Sequence, residues 1–198
     1  MGVRIASIAA VFLAVIVLAA ALPWLPSLLQ SEPYYGLRVD KTAYDFPFEN
    51  TNNSEQRLSD LKGRYVYLLF GYLRCADICH RQVANMLALN NQLSEQAVSF
   101  VFVSLDPERD ASNQLQAYFD SQGQHFHSVR PNNEAAAHAL ANEYNEYFIK
   151  TGEGAGYDID HSGFMYVVNP DGKLSLIYTN SKLNVEAMLN DLKQLQRS

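Results

Sequence analysis

The stretch that decides the fold is YVYLLFGYLRCADIC, residues 65–79. Its first six residues are continuously apolar or aromatic, which is typical of a strand buried on both faces. From Asp77 to about Leu93 the apolar residues recur at helical spacing, so Cys75 and Cys79 lie one helical turn apart. The sequence therefore predicts a buried strand that leads into a dithiol at the N-terminal end of a helix.

The patterns on either side of this stretch extend it into an α/β domain. Upstream they predict a short β-hairpin over residues 43–61. Downstream they predict, in order, a buried strand at 98–105, a helix ending near Phe119, a helix from Asn132 or Asn133 through Phe148, a hairpin of strands 164–168 and 174–178, and a helix over about 184–195. Strand–helix–strand connections imply parallel pairing, and the last hairpin adds antiparallel strands. We therefore predict a thioredoxin-like, three-layer sandwich with a mixed central sheet and an N-terminal β-hairpin.

Composition and charge limit the classes of partner. The 198 residues include 15 basic and 21 acidic side chains, which gives a formal charge of −6. Nucleic-acid binding relies on clustered Lys and Arg that neutralise phosphates, so a domain this acidic is not expected to hold DNA or RNA. Hydrophobic residues make up 48% of the chain and charged residues 18%, a balance typical of a globular rather than a disordered protein.

The N-terminal segment differs in kind from the rest of the chain. Residues 5–22 are eighteen residues without a charge, and a helix of that length would span about 27 Å, close to the hydrocarbon thickness of a bilayer. Arg4 precedes the segment, and Pro23 and Trp24 follow it, as at an interfacial helix end. The alternative is a cleaved signal peptide, for which Ala19–Ala20–Ala21 offers small residues.

These features predict the organisation of the chain and its location. We expect a transmembrane anchor or signal peptide over residues 1–30, a linker over 31–42 and the thioredoxin-like domain over 43–198. Because no Arg-rich transit peptide is present, we expect a single-pass protein of the bacterial inner membrane whose domain faces the periplasm.

The two cysteines are suited to chemistry rather than to stapling the fold. A bridge between Cys75 and Cys79 would close a very small loop and add little stability. Thiolates are stabilised at a helix N-terminus, and a pair of them favours Cu(I), zinc or iron–sulfur chemistry, while an added imidazole extends the choice to Cu(II). A structural zinc site would normally require a second pair of ligands, so a three-ligand copper site fits this chain better.

Five histidines are candidates for the third ligand. His80 adjoins Cys79 but points about 100° around the helix, and His138 lies outside an apolar stripe, so both are expected at the surface. His125 and His127 alternate as on one face of a strand, where a polar sheet edge is the simpler interpretation. His161 follows a glycine-rich loop and precedes a buried strand, a position from which a loop can carry a ligand to the dithiol.

Three segments together resemble the SCO/SenC family of thioredoxin-like copper-delivering proteins. LFGYLRCADIC (69–79) is similar to the family's FGYTxCPDxCP stretch. SLDPERD (104–110) is similar to its S-x-DPxRD turn, and YDIDHS (157–162) to its Y-x-x-DH-S loop. The order of the segments also fits, and the resemblance spans about residues 43–195.

The resemblance implies that Cys75, Cys79 and His161 bind copper, as Cu(I) or Cu(II), in a membrane-anchored domain. It implies delivery to the copper-receiving subunit of cytochrome c oxidase, at the dinuclear copper centre, and reduction of that centre's cysteines by the same dithiol. Other periplasmic copper chaperones or thiol reductants are further candidate partners. Two family prolines are replaced, by Ala76 and His80, and His80 thereby offers an extra imidazole close to the site.

Two other functions use the same cysteines. A metal-independent thiol–disulfide oxidoreductase would need only Cys75 and Cys79. A peroxiredoxin-like peroxidase is disfavoured, because Tyr72 replaces the threonine of the usual Thr-x-x-Cys pattern. The charged residues of the turn over 106–110 are expected to cap a helix and form ion pairs, with support of the metal site as the alternative role.

Overall fold

The computed structural model describes residues 15–17, 33–49, 54–75, 78–93, 98–181 and 183–197. Contacts within the chain divide it into two units, Met1–Pro33 and Tyr34–Ser198, and the sheets belong to the second unit. The strands are β1 (Leu37–Thr42), β2 (Pro47–Glu49), β3 (Glu55–Arg57), β4 (Tyr65–Gly71), β5 (Val98–Ser104), β6 (Phe126–Val129), β7 (Phe148–Thr151), β8 (Asp158–His161), β9 (Met165–Val168) and β10 (Lys173–Tyr178). The helices of this unit are α1 (Ile78–Gln92), α2 (Ser112–Tyr118), α3 (Glu134–Glu143) and α4 (Val185–Leu195).

The central sheet is mixed, as the sequence predicts. Among the described residues it contains six strands in the order β1-β10-β9-β4-β5-β6. Strand β4 pairs parallel with β5 and antiparallel with β9, and β5 pairs parallel with β6. Two separate antiparallel ribbons, β2–β3 and β7–β8, complete the strands, and β2–β3 is the predicted N-terminal hairpin.

Strand β4 separates the two halves of the core. Val66, Leu68 and Phe70 point into a cluster that includes the buried side chains of α3, and Tyr67 and Leu69 point into a cluster formed with α1, α2 and α4. This alternation follows from the two-residue repeat of a strand, and burial on both faces explains why β4 is apolar throughout. Helices on both faces of the sheet give the predicted three-layer sandwich.

The start of the domain differs from the prediction. Leu37–Thr42 was expected in a linker, but it forms edge strand β1, in which Leu37 pairs with Ile177 of β10. Its side chains are mostly exposed and polar, so it lacks the apolar pattern from which strands are recognised. The preceding backbone is also fixed, because Asp191 of α4 accepts the N–H groups of Tyr35 and Gly36 at 2.9 and 2.8 Å.

The helix predicted to run through Phe148 is shorter in the structure. Helix α3 ends at Glu143, and Asn145 adopts φ 55°, a left-handed conformation that stops the helix. Phe148 instead begins β7, which pairs with β8 on either side of the predicted glycine-rich loop at Gly152–Gly156. This ribbon carries His161, so the difference bears directly on the functional site.

The predicted membrane-spanning helix over residues 5–22 lies outside the described residues except for Val15–Val17, which are helical. None of the described helices is both long enough and apolar enough to cross a bilayer. Helix α1 has 15 residues, fewer than the roughly 20 that a spanning helix needs. This finding contradicts the predicted single-pass location in the bacterial inner membrane with a periplasmic domain, and that prediction is withdrawn.

A half-buried histidine makes the stability of the sheet edge depend on pH. His127 of β6 packs against Phe48 with a ring-centroid distance of 5.6 Å, and burial lowers its pKa from 6.5 to about 4. Between these values the unfolded chain binds a proton that the native state does not, so the free energy of unfolding falls as the pH drops. We expect this group to remove about 3 kcal/mol by pH 4.

Urea denaturation between pH 7 and 4 tests this expectation. His127→Gln should flatten the pH dependence relative to the wild type, whereas His125→Gln, at an exposed position, should change it much less. Equal pH dependence in the wild type and His127→Gln would show that the neutral form of His127 does not contribute.

Candidate metal centre

The two cysteines lie where β4 leads into α1. The N–H of Cys75 donates to Tyr72 O at 3.2 Å, which closes a turn after the strand, and Cys79 is in the first turn of the helix. The N–H of Cys79 points at Cys75 Sγ over 3.5 Å. Both residues are buried, with 5% of Cys75 and 1% of Cys79 exposed. The dithiol thus lies at the strand–helix junction that the sequence predicts.

His161 reaches the dithiol from the β7–β8 ribbon. It is the last residue of β8 and lies opposite Phe148 of β7. Its Nε2 lies 3.4 Å from Cys79 Sγ. One ligand atom from each of Cys75, Cys79 and His161 lies within 4.8 Å of the other two, the one such group of three found among the described residues. The structure therefore brings together the three residues that the sequence singles out.

The buried carboxylate of Glu146 contacts the Nδ1 side of the His161 ring. Glu146 is 2% exposed, and its Oε1 lies 3.3 Å from His161 Nδ1. The N–H of Gly163 donates to the same oxygen at 2.8 Å, and the Tyr166 hydroxyl donates to Oε2 at 2.8 Å. Glu146 is not among the site residues predicted from the sequence, because it falls in a stretch predicted as helix, where a lone glutamate among tyrosines carries no metal-site pattern.

In the metal-free site the surroundings of His161 and Cys79 favour the protonated form of each. Burial by itself lowers the pKa of His161, but hydrogen bonds with Cys75 and Glu146 and the charge of Glu146 outweigh it and raise the pKa to about 9. The hydrogen bond with Cys75, together with burial, raises the pKa of the Cys79 thiol. A metal ion that binds all three side chains must therefore displace protons from them.

Gly71, the last residue of β4, leaves room for the Cys79 sulfur. A Cβ atom at position 71 would lie 2.9 Å from Cys79 Sγ and 3.1 Å from the ring of Phe102. Both distances are shorter than the usual van der Waals separation of a carbon atom from a sulfur or from another carbon. The absence of a side chain at Gly71 is thus a condition for the observed position of Cys79.

The turn over residues 104–110 fixes the backbone on the cysteine side. Asp110 is buried, and both of its carboxylate oxygens accept the N–H of Leu73 at 3.2 Å. The Ser104 hydroxyl donates to Asp110 Oδ2 at 2.7 Å. Burial raises the pKa of Asp110, and the hydrogen bonds from Ser104 and Leu73 act against that rise. Asp110 therefore anchors the loop that leads to Cys75, two residues beyond Leu73.

The same turn also holds the segment that leads to His161. Asp106 is buried, pairs with Arg109 and accepts the Tyr157 hydroxyl at 2.6 Å. The Arg109 guanidinium donates to Tyr157 O at 2.7 Å and lies over the Tyr157 ring, 3.5 Å from its centroid. The predicted ion pairing of this turn is present, and its contacts reach both halves of the site.

The other histidines lie apart from the dithiol. His80 is exposed, and its Nδ1 lies 2.8 Å from the Tyr118 hydroxyl on α2. His138 stacks on the ring of Phe148 with a centroid distance of 3.8 Å. His127 packs at the sheet edge, next to β5. The structure thus agrees with the expectation that His80 and His138 are surface residues.

Comparison with known proteins settles the family. The sequence model of the SCO1/SenC family matches residues 37–197. The chain belongs to the SCO1/SenC family. The mitochondrial SCO1 homolog 1 of Arabidopsis thaliana is 30% identical over 142 residues, which cover 69% of this chain and 42% of that protein. The chain spans about half the length of the curated relatives it matches.

Solved structures of SCO proteins share the fold. Apo Sco1 of Thermus thermophilus superposes with a TM-score of 0.72 at 29% identity, covering 82% of this chain and 97% of that one. Copper-bound ScoI of Arabidopsis thaliana superposes with a TM-score of 0.70 at 24% identity, covering 79% and 99%. The predicted SCO/SenC family and the α/β thioredoxin-like fold with a mixed sheet are confirmed.

The close approach of Gly71 to Cys79 predicts the effect of a small substitution. In Gly71→Ala the new methyl group must displace Cys79 Sγ or the Phe102 ring, and overpacking of this kind costs about 1–3 kcal/mol. We expect the free energy of unfolding, measured in urea, to fall by that amount. Gly156→Ala is the matched control, because no atom lies within 4 Å of a Cβ there. Equal stability of Gly71→Ala and the control would contradict the steric argument.

Proposed function

We propose that this SCO-family chain binds one copper ion through Cys75 Sγ, Cys79 Sγ and His161 Nε2 and passes it to a recipient protein. The observation that carries the proposal is the convergence of these three side chains, whose ligand atoms lie within 4.8 Å of one another. The convergence joins a strand–helix junction to His161, which lies 82 residues beyond Cys79 in sequence. Chance proximity of two thiols and an imidazole in a buried position is a poor explanation for it.

The chemistry of the donor set favours copper. Two thiolates with one imidazole are soft ligands that suit Cu(I), and the imidazole also accommodates Cu(II). Metal–ligand bonds of about 2.3 Å in a trigonal plane separate the ligand atoms by roughly 4 Å, which the observed spacing approaches. A closed structural zinc site would require a fourth ligand, and among the described residues no fourth Cys, His or carboxylate joins the group.

The position of the site suits transfer rather than storage. A shallow depression leads to it from the surface and is lined by residues of the junction and of β8: Tyr72, Cys75, Ile78, Asp158, Ile159, Asp160 and His161. Cys75 and His161 both line this depression, so an incoming ligand would approach copper held there from the same side. The recipient that the family resemblance implies is the copper-receiving subunit of cytochrome c oxidase, at its dinuclear copper centre.

A metal-independent thiol–disulfide oxidoreductase is the less favoured function. Such an enzyme needs only the two thiols, one of them as a reactive thiolate. It has no use for an imidazole held 3.4 Å from Cys79 Sγ. Reduction of the recipient's cysteines remains compatible with the dithiol as a secondary activity.

Copper titration of the reduced full-length protein tests the proposal. We expect about one copper per chain and, with Cu(II), a thiolate-to-metal charge-transfer band. Cys75→Ser, Cys79→Ser and His161→Ala should each weaken binding by at least 100-fold, because each removes one of three ligands. His80→Ala is the matched control, since its exposed imidazole adjoins Cys79 in sequence and contacts Tyr118 instead.

Two results would overturn the proposal. One is copper binding of unchanged affinity in any of the three ligand variants. The other is the absence of copper binding together with ready disulfide exchange that survives in His161→Ala. The second result would establish the oxidoreductase function in place of copper delivery.

A further inference from the structure

The carboxylate of Glu146 is surrounded by hydrogen-bond donors, as expected for a buried anion. Its carboxylate is almost completely buried, and three donors surround it: the Gly163 N–H, the Tyr166 hydroxyl and the imidazole of His161. A buried charge is strongly disfavoured unless hydrogen bonds compensate it. With both oxygens occupied by donors, the carboxylate meets that condition.

The orientation of the His161 ring follows from this arrangement. If Nδ1 carried no proton, its lone pair would face the carboxylate oxygen across 3.3 Å, which is repulsive. The Gly163 N–H also lies 3.2 Å from Nδ1, but its bond to Glu146 is shorter, at 2.8 Å. Nδ1 therefore carries a proton and donates it to Glu146. In the neutral ring Nε2 is left with its lone pair directed at the Cys79 side.

The same carboxylate fixes the backbone that follows His161. Gly163 donates its N–H to Glu146 and accepts a hydrogen bond from Gln82 Nε2 at its carbonyl, at 2.6 Å. Gln82 is a buried residue of α1, the helix that carries Cys79. Gly163 also has φ +65°, a conformation that glycine adopts most readily. The residues around His161 are thereby joined both to Glu146 and to the cysteine helix.

A neutral amide could make similar hydrogen bonds at lower desolvation cost, so the charge of Glu146 requires a separate explanation. Two thiolates and the carboxylate together contribute three negative charges. With Cu(II) the buried assembly has a net charge of −1, and with Cu(I) it has −2. Because buried net charge is disfavoured, Glu146 stabilises the Cu(II) form relative to the Cu(I) form.

We propose that Glu146 is a positioning residue that holds His161 with Nε2 toward the thiols, and that its buried charge sets the preference of the centre for Cu(II) over Cu(I). The part concerning oxidation state rests on the proposed copper site. The part concerning His161 does not, because the contacts are present in the protein alone. Carboxylate–histidine–metal arrangements of this kind typically raise metal affinity by 10–100-fold.

Glu146→Gln tests the proposal in the full-length protein, since it keeps the shape of the side chain and removes its charge. We expect affinity for Cu(II) to fall by 10–100-fold. We expect affinity for Cu(I) to fall at least tenfold less, which corresponds to a rise in reduction potential of at least about 59 mV. The charge-transfer band of the Cu(II) form should shift as well. Glu143→Gln is the matched control, because Glu143 is an exposed glutamate three residues away.

Tyr166→Phe separates the positioning role of Glu146 from the effect of its charge. It removes the donor at Glu146 Oε2 but leaves the carboxylate itself in place, so the preference for Cu(II) over Cu(I) should not decrease. The His161 Nδ1 proton, followed by ¹⁵N-edited NMR in the reduced, metal-free protein, should exchange slowly with water in the wild type. It should exchange faster in both Glu146→Gln and Tyr166→Phe.

The outcomes separate this proposal from the proposed function. Unchanged exchange of the Nδ1 proton in both variants would overturn the positioning role, whatever the protein does with copper. Equal losses of Cu(I) and Cu(II) affinity in Glu146→Gln would overturn the role of the charge. If the wild type bound no copper while the Nδ1 proton behaved as expected, copper delivery and the oxidation-state role would fall and the positioning role would stand.

Discussion

The centre depends on one contact, between His161 Nε2 and Cys79 Sγ, which joins two segments 82 residues apart. No local pattern produces that contact. It requires β4 and α1 to meet at a fixed angle and the β7–β8 ribbon to lie over their junction. The other interactions around the site hold the β4–α1 junction and the β7–β8 ribbon in this arrangement.

The charged turn after β5 performs much of that task. Asp110 holds the backbone at Leu73, on the cysteine side, while Asp106 and Arg109 hold Tyr157, at the start of the segment leading to His161. This one turn thereby fixes both the segment that leads to Cys75 and the segment that leads to His161. Asp106 and Asp110 are buried, and hydrogen bonds and the half-buried Arg109 compensate their charges. The role of the DPERD segment is therefore structural support rather than acid–base chemistry.

The sequence predicted the parts of the molecule that have a strong local pattern. β4, α1, β5 and the last hairpin have continuous apolar runs or clear periodicity, and the dithiol at their junction follows from them. β1 was missed because an exposed edge strand needs few apolar residues. β7 was missed because the preceding helix ends before a left-handed Asn145, and an asparagine does not by itself mark the end of a helix. Glu146 could not be found from the sequence, because its role depends on contacts with His161, Gly163 and Tyr166, which are distant along the chain. It also falls in a stretch that the sequence predicts as helix.

The contacts that hold His161 have a consequence for the proposed transfer of copper to a recipient protein. Glu146, Gln82 and the ribbon fix the imidazole before an ion arrives, so the ordering of the ligand is completed during folding. Binding or release of copper, as proposed, would then need no reorientation of this imidazole. A recipient would compete for the ion against a ligand that is already held in place.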